Sequence, residues 1–479
     1  MGLFNVLSSA EIWLYGITHN INLDWIGELI RLLIVGVGSV GVGVILFSVI
    51  LKVIVLPFDV YQRITMRKQN LKMKENQAKM EKLQKQYANN KEMYNQKVME
   101  MYKESGISPC SSCLPLILSM VIFIVAINAF NAYAQFANVR NYNDMVHAYN
   151  TKLETYCADL TPSAEDTTLV ITPIENGNIK VEDSRVDKYI YYVLKAPENF
   201  DANAVKETDY EYISKAELKT YYVNVDKAYA NADIKTAVDA AIAKDESEDS
   251  ADKKKENATR NYFISQAQKA VVGAYNDTVY PNSSFLWIKN VWETDAMYKT
   301  PVVDYKTFEE QAKQQKFKVE GVGEVTYANI GTHTKGPNPY TKEAYDYVTG
   351  ALTEQKSAPN GYFILIVLSI GTILLQQVIS MRSQKEQQKY SSVDGQGASQ
   401  QKMMLVIMTI MFAVFSFMYS SAFSIYMIMS NVLSLFSTLL INKIVDTVEA
   451  KKEEKALLKK YDNKRTYKES DKKSGKKGK

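Results

Sequence analysis

From Leu32 to Phe58 the chain runs 27 residues with a single charge, Lys52. At about 1.5 Å rise per residue, such a run is long enough to cross a bilayer as a helix. Hydrocarbon offers backbone polar groups no partner, so it admits only helices or closed barrels. A lysine at the centre of such a helix costs roughly 2.5–3.5 kcal/mol on insertion scales. Lys52 therefore either lines a polar cavity or snorkels its long stem to the nearby interface.

Further apolar runs predict transmembrane helices at 109–135, 361–381, 403–419 and 423–444, the last two joined by the short turn Ser420-Ser-Ala422. Segments between the spans differ in charge. Residues 59–105 carry 11 basic against 6 acidic groups, residues 382–402 carry 4 against 2, and the tail from 443 carries 14 against 7. On the other side, residues 1–31 carry 1 against 3 and the loop 134–361 carries 26 against 35. The excess of Lys and Arg predicts a cytoplasmic tail, with the N-terminus and the long loop outside.

The N-terminal residues match neither a cleavable signal peptide nor a myristoylation pattern. Ile12, Trp13, Leu14, Ile17, Ile21, Leu23, Trp25, Ile26 and Ile30, mixed with polar residues, predict within 1–31 a helix lying at the outer interface. Cys110 and Cys113 form a C-x-x-C where a span begins, with no second pair or nearby histidine, and are read as structural. Gly36-Val-Gly38-Ser-Val-Gly41 matches a dinucleotide fingerprint only literally, because no strand precedes it; its small residues suit close helix packing. No cofactor, metal site or catalytic residue is expected.

Residues 59–108 read as a helical hairpin broken at Ala88-Asn-Asn90, with Met66, Met73, Met80, Tyr87, Tyr94 and Met101 recurring every seven residues. Those methionines suit either packing between the two arms or adaptable contact with apolar segments. In the 136–360 loop, Thr168–Ile174 and Tyr189–Leu194 read as strands, and Ile213–Lys244 as one or two amphipathic helices ahead of a charged linker, Asp245–Glu256. A small α+β domain at about 140–280 is expected. The basic tail 445–479 reads as disordered.

Ile50-Leu-Lys-Val-Ile-Val-Leu-Pro-Phe58, Lys82-Leu-Gln-Lys-Gln-Tyr87, Met101-Tyr-Lys-Glu-Ser-Gly106, Pro109 and Cys113-Leu-Pro115 resemble, in order and spacing, the YidC family of membrane-protein insertases. Ser284-Phe-Leu-Trp287, Gln376-Gln377 and Ile425-Tyr-Met-Ile-Met-Ser-Asn431 also resemble family features. The resemblance implies an all-α integral membrane protein: a five-transmembrane-helix insertase core with a cytoplasmic helical hairpin, here carrying the inserted extracytoplasmic α+β domain. It implies a water-filled groove in which Lys52 stands where the family usually has arginine. The charge is kept, but the planar guanidinium fork is not.

In such a groove Lys52 would attract acidic residues of a crossing segment. Ser119, Asn128, Gln376, Gln377, Ser424 and Asn431 would offer hydrogen bonds if they face inward, or else join helices. Tyr426 and Met427 line either an exit path to lipid or a packed contact. The implied partners are nascent membrane proteins, the lipid bilayer, the Sec translocase, and a ribosome met through the basic tail. The implied location is the bacterial cell membrane. No Asp, Glu or His falls within the spans as delimited, which argues against a proton-driven transporter. A small-molecule transporter or channel, or a membrane-anchored scaffold for the outer domain, remain the rival readings.

Overall fold

The computed structural model describes residues 10–16, 21–106, 114–319, 321–334, 336–383 and 396–474. Cys110, Cys113, residues 384–395 and the last five residues of the basic tail lie outside the described residues.

The first apolar run is two helices rather than one. Gly38, at φ +70°, separates α1 (Trp25–Val37) from α2 (Val40–Gln86). Only glycine takes that backbone conformation at little cost. Gly36 and Gly38 meet nothing within 4 Å, whereas at Gly43 the packing is close: a Cβ there would stand 2.7 Å from Ile34 Cγ1 and 2.9 Å from its Cα. The interfacial helix expected across Ile12–Ile30 is corrected as well: Glu11–Ile12 form strand β1, and among the described residues of that stretch helix begins at Trp25.

Helix α2 is 47 residues long and passes without a break from the apolar run into the Lys- and Gln-rich arm, with Pro57 inside it. The arm ends at the expected Asn-Asn break. Asn90 caps α3 (Lys91–Glu104), its side chain accepting from the Met93 N–H at 3.0 Å. The arms close on each other through Asn76 Nδ2 to Ser105 Oγ (2.8 Å) and Lys72 Nζ to the Gly106 carbonyl (3.1 Å), with Met80 and Met101 buried. Those two methionines pack inside the hairpin. Helix α4 (Leu114–Glu154) spans 41 residues and runs well beyond the predicted end at 135.

The chain divides into two compact units: a mixed unit of Met1–Leu32, Gly38–Val40 and Asn131–Tyr362, and a helical unit of Leu33–Val37, Gly41–Phe130 and Phe363–Lys479. The mixed unit is thus larger than the predicted 140–280 domain. Its antiparallel sheet has the order β1-β5-β4-β3-β2, with β2 Leu169–Ile174, β3 Asn178–Asp183, β4 Ile190–Lys195 and β5 Thr220–Val223. Strand β1 pairs with β5, Glu11 opposite Tyr222. The expected helical stretch 213–244 therefore breaks up: α5 (Glu207–Lys215), then β5, α6 (Val225–Tyr229) and α7 (Ala232–Ile242). Aromatic and β-branched residues at 221–223 favour the sheet.

The charged linker is partly helix, since Ser250 caps α8 (Ala251–Ala274) by accepting from the Lys253 N–H at 3.3 Å. Helix α9 (Tyr305–Lys313), the hairpin β6 (Lys316–Val319) and β7 (Gly323–Thr326), and helices α10 (Tyr327–Ile330), α11 (Lys342–Val348) and α12 (Thr353–Ser357) complete the unit.

Its core is built around the amphipathic end of α4, with Val139, Tyr142, Val146, Tyr149 and Leu153 buried at helical spacing. Two buried phenols find carbonyls: Tyr142 OH donates to Pro339 O and Tyr345 OH to Val303 O, both at 2.6 Å. Trp13 packs edge-on to Tyr347 (5.3 Å between centroids), and Trp292 lies 4.8 Å from Tyr133.

The helical unit continues with α13 (Ile364–Ser383), α14 (Gln396–Met418) and α15 (Ser421–Ser474). Among the described residues, Val40–Gln62, Met120–Glu154, Ile364–Arg382 and Ser421–Ile444 are long and apolar enough to cross a membrane; Thr409–Met418 is a shorter apolar stretch. The tail expected to be disordered is helical as far as Ser474. Ala450-Lys-Lys-Glu-Glu-Lys-Ala-Leu-Leu-Lys-Lys460 consists of strong helix formers, which accounts for it.

Candidate functional site

Lys52 turns inward. Its Nζ donates to Asp59 Oδ2 at 2.6 Å and to Ser434 Oγ of α15 at 3.0 Å, and its side chain is 15% exposed. The snorkelling alternative is therefore not what the chain adopts. Seven residues are close to two helical turns, so Asp59 lies on the same face of α2 as Lys52. Asp59 also falls within the apolar helix Val40–Gln62, one residue past the expected end of the span. The expectation of a span free of carboxylates is corrected on this point: the charge at 52 has a counter-ion.

Above the pair, toward the start of α2, the unit is dry. Val44, Phe47 and Ser48 are buried on α2, and residues 421–427 are buried on α15. Phe47 meets Phe130 (5.4 Å), Phe130 meets Tyr426 (5.4 Å), and Phe123 meets Phe412 (4.7 Å) and Phe423 (5.7 Å). Toward the hairpin the packing loosens: residues 428–435 of α15 and Lys52, Asp59 and Val60 of α2 are only partly buried. On α15, one turn before Ser434, Asn431 holds a buried Nδ2 with no acceptor among the described residues. The site is thus an ion pair with an orphaned amide one turn from its serine, below an aromatic ceiling.

The other predicted site residues are spread across the unit. Tyr426 and Met427 are buried, and Tyr426 packs on Phe130 and Phe423, so both belong to the ceiling rather than to an open path. Ser424 is buried in the same layer. Gln377 Oε1 accepts from Thr409 Oγ1 at 2.8 Å and joins α13 to α14; Gln376 beside it is half-buried. Asn128 is exposed on the surface of α4, and the side chain of Ser119 lies outside the described residues.

Sequence reasoning missed Asp59 and Ser434. A signal existed for each. Asp59 is seven residues from Lys52, and Asn431, Ser434 and Thr438 recur at three- and four-residue spacing, the pattern of one polar stripe on a helix.

The mixed unit holds a second buried charge. Glu293 Oε1 accepts from Asn138 Nδ2 (3.0 Å) and Gln311 Nε2 (3.2 Å), and Lys299 Nζ stands 3.9 Å from Oε2. Burial pushes its carboxyl above the usual carboxylate range, outweighing the lowering by Lys299 and the two amides. Asn138 in turn accepts from Asn290, and Asn290 N–H donates to Asn360 Oδ1. This network fastens loops to helices.

The family model described as 60Kd inner membrane protein matches residues 33–177 and 274–450. The unmatched stretch between them takes in most of the sheet and helices α5 to α7. A Membrane protein insertase YidC of Caldanaerobacter subterraneus subsp. tengcongensis is 35% identical over 98 residues, covering 20% of this chain and 46% of that protein. Proteins of the same name from Fusobacterium nucleatum subsp. nucleatum and Clostridium perfringens are 36% and 39% identical over 86 and 88 residues, each 18% of this chain and 40% and 35% of theirs. The match spans less than half the length of these relatives. No solved structure matches the chain.

Proposed function

Because the chain belongs to the 60Kd inner membrane protein family, we propose that it is a membrane protein insertase, passing hydrophilic segments of nascent membrane proteins across the bilayer and releasing their apolar spans into lipid. The observation that carries this reading is the largely buried Lys52–Asp59 pair and its Ser434 anchor, held on the inner face of a helix otherwise suited to hydrocarbon. A polar segment in dry hydrocarbon pays several kcal/mol for each unsatisfied group. A polar notch beneath an aromatic ceiling shortens that dry path.

In this reading α14 joins the four longer helices as a fifth span, the hairpin and basic tail face the cytoplasm, and the mixed unit lies outside in a bacterial cell membrane. The excess of Lys and Arg on the hairpin and tail supports that orientation. The names of the relatives support nascent membrane proteins as the substrate class. Partnership with the Sec translocase, and a ribosome contact through α15, extend the same reading. The driving force comes from the client's own apolar residues and from the membrane potential, worth about 2.3 kcal/mol per charge per 100 mV.

The test is insertion of a single-span client into liposomes containing the purified full-length chain, read by protease protection, together with photo-crosslinking from position 52 or 431 to stalled nascent chains. Protection and crosslinks to the client's polar segment are expected. Equal protection in empty liposomes would refute the reading. The carboxylate in the first span gives one rival, a solute transporter using the pair, some footing. Solute flux without client insertion would favour it.

A further inference from the structure

We propose that Asp59 is a resident counter-anion, which a carboxylate of a crossing segment must displace from Lys52, so that Asp59 together with Ser434 sets the charge selectivity of the site. This rests on the insertase reading and adds to it the residue that discriminates among clients.

A lysine ammonium has three N–H donors and accepts nothing. Among the described residues, two of the three are engaged, by Asp59 Oδ2 at 2.6 Å and Ser434 Oγ at 3.0 Å. One donor is left for a passing group. A lone ammonium would hold any acidic segment and repel any basic one; the paired ammonium does neither strongly, because Asp59 cancels most of its charge at short range. An acidic segment therefore competes with Asp59 for Lys52. A basic segment finds in Asp59 an acceptor that a lone cation would not provide. Ser434 holds the ammonium in place during the exchange, since its hydroxyl bond does not depend on which carboxylate is present. The aromatic layer of Phe47, Phe130 and Tyr426 confines the exchange to the looser end of α2.

The experiment uses the full-length chain in proteoliposomes and three clients identical except for translocated tails bearing two Asp, two Asn or two Lys residues. Asp59→Asn is expected to raise the initial insertion rate of the Asp tail about five-fold relative to the Asn tail, the ratio corresponding to about 1 kcal/mol, and to lower that of the Lys tail. Asp59→Glu restores the wild-type order. A misfolded variant would slow all three tails alike, so opposite shifts cannot arise from damage.

A second readout does not depend on insertion: protection of Lys52 from an amine-acylating reagent by a short acidic peptide in nanodiscs, which should occur at lower peptide concentration in Asp59→Asn than in wild type. Equal shifts for all tails, or equal protection with and without Asp59, overturn the inference and leave the insertase reading standing. Protection that depends on Asp59, in a chain that inserts no client at all, upholds the counter-anion and removes the insertase reading instead.

Discussion

Two carboxylates, Glu293 in the mixed unit and Asp59 in the helical unit, stand near lysines in opposite circumstances. Glu293 is enclosed, receives hydrogen bonds from Asn138 and Gln311, and has Lys299 at 3.9 Å. Asp59 meets Lys52 at 2.6 Å, with 27% of its side chain exposed and a neighbouring ammonium that keeps a donor to spare. Buried polar groups must be satisfied, and where a network saturates them the arrangement holds loops together. Where capacity is left over beside loose packing, the arrangement can take a visitor. Burial of charge alone does not distinguish structure from function; unused bonding capacity does.

The largest effect that would sharpen this contrast is expected at Glu293. Replacing it by Ala strips the amides of Asn138 and Gln311 of an acceptor, and should destabilise the mixed unit by about 1–3 kcal/mol in chemical denaturation of the full chain. Lys52→Ala should leave stability nearly unchanged by the same measurement, yet slow insertion of clients with acidic tails about ten-fold, corresponding to about 1.4 kcal/mol. Lys52→Arg should keep most of the rate, since the charge persists. Similar stability losses at both sites, with no effect on insertion, would erase the distinction.

A third difference is in pH. The carboxyl of Glu293 is raised in the fold, so the folded chain binds its proton more tightly than the unfolded one does. Its stabilising contribution is full below the ordinary glutamate value and is lost as pH rises through the raised folded value. Glu293→Gln should flatten the stability profile of the mixed unit in that window, which a pH series of unfolding midpoints would detect. The smallest effect is expected at Ser369, whose hydroxyl meets Ser416 at 3.0 Å between α13 and α14. Ser369→Ala should cost about 0.6 kcal/mol, the average for such contacts between membrane helices, and leave insertion intact.

Much of the helical unit was legible because hydrophobic length is a local property: the long apolar runs declared their helices, and Asn-Asn marked the hairpin break. What was not legible depended on distance or on a single residue. Glu11–Ile12 lack a strand signal of their own and become strand only because Tyr221–Tyr222, far along the chain, offer an edge. Gly38 divides a run that hydropathy alone treats as one. At the site, the charge at 52 was plain, whereas its partner was overlooked because the span was closed at Phe58, one residue before Asp59. Gln377 and Tyr426 were polar or amphipathic residues in the right helices, but sequence does not say which way a side chain faces, and both are engaged in packing.

The indole contacts noted above have a spectroscopic consequence. All four tryptophans of the chain, at 13, 25, 287 and 292, belong to the mixed unit, and none to the helical one. Excitation at the red edge of protein absorbance therefore lights only one half of the molecule. Trp13 against Tyr347 and Trp292 against Tyr133 sit at separations where phenol-to-indole energy transfer is efficient, so loss of that transfer marks the moment the aromatic core opens. The helical unit stays dark under red-edge excitation, and a tryptophan placed beside Lys52 would report on it against an empty background once the native four are replaced.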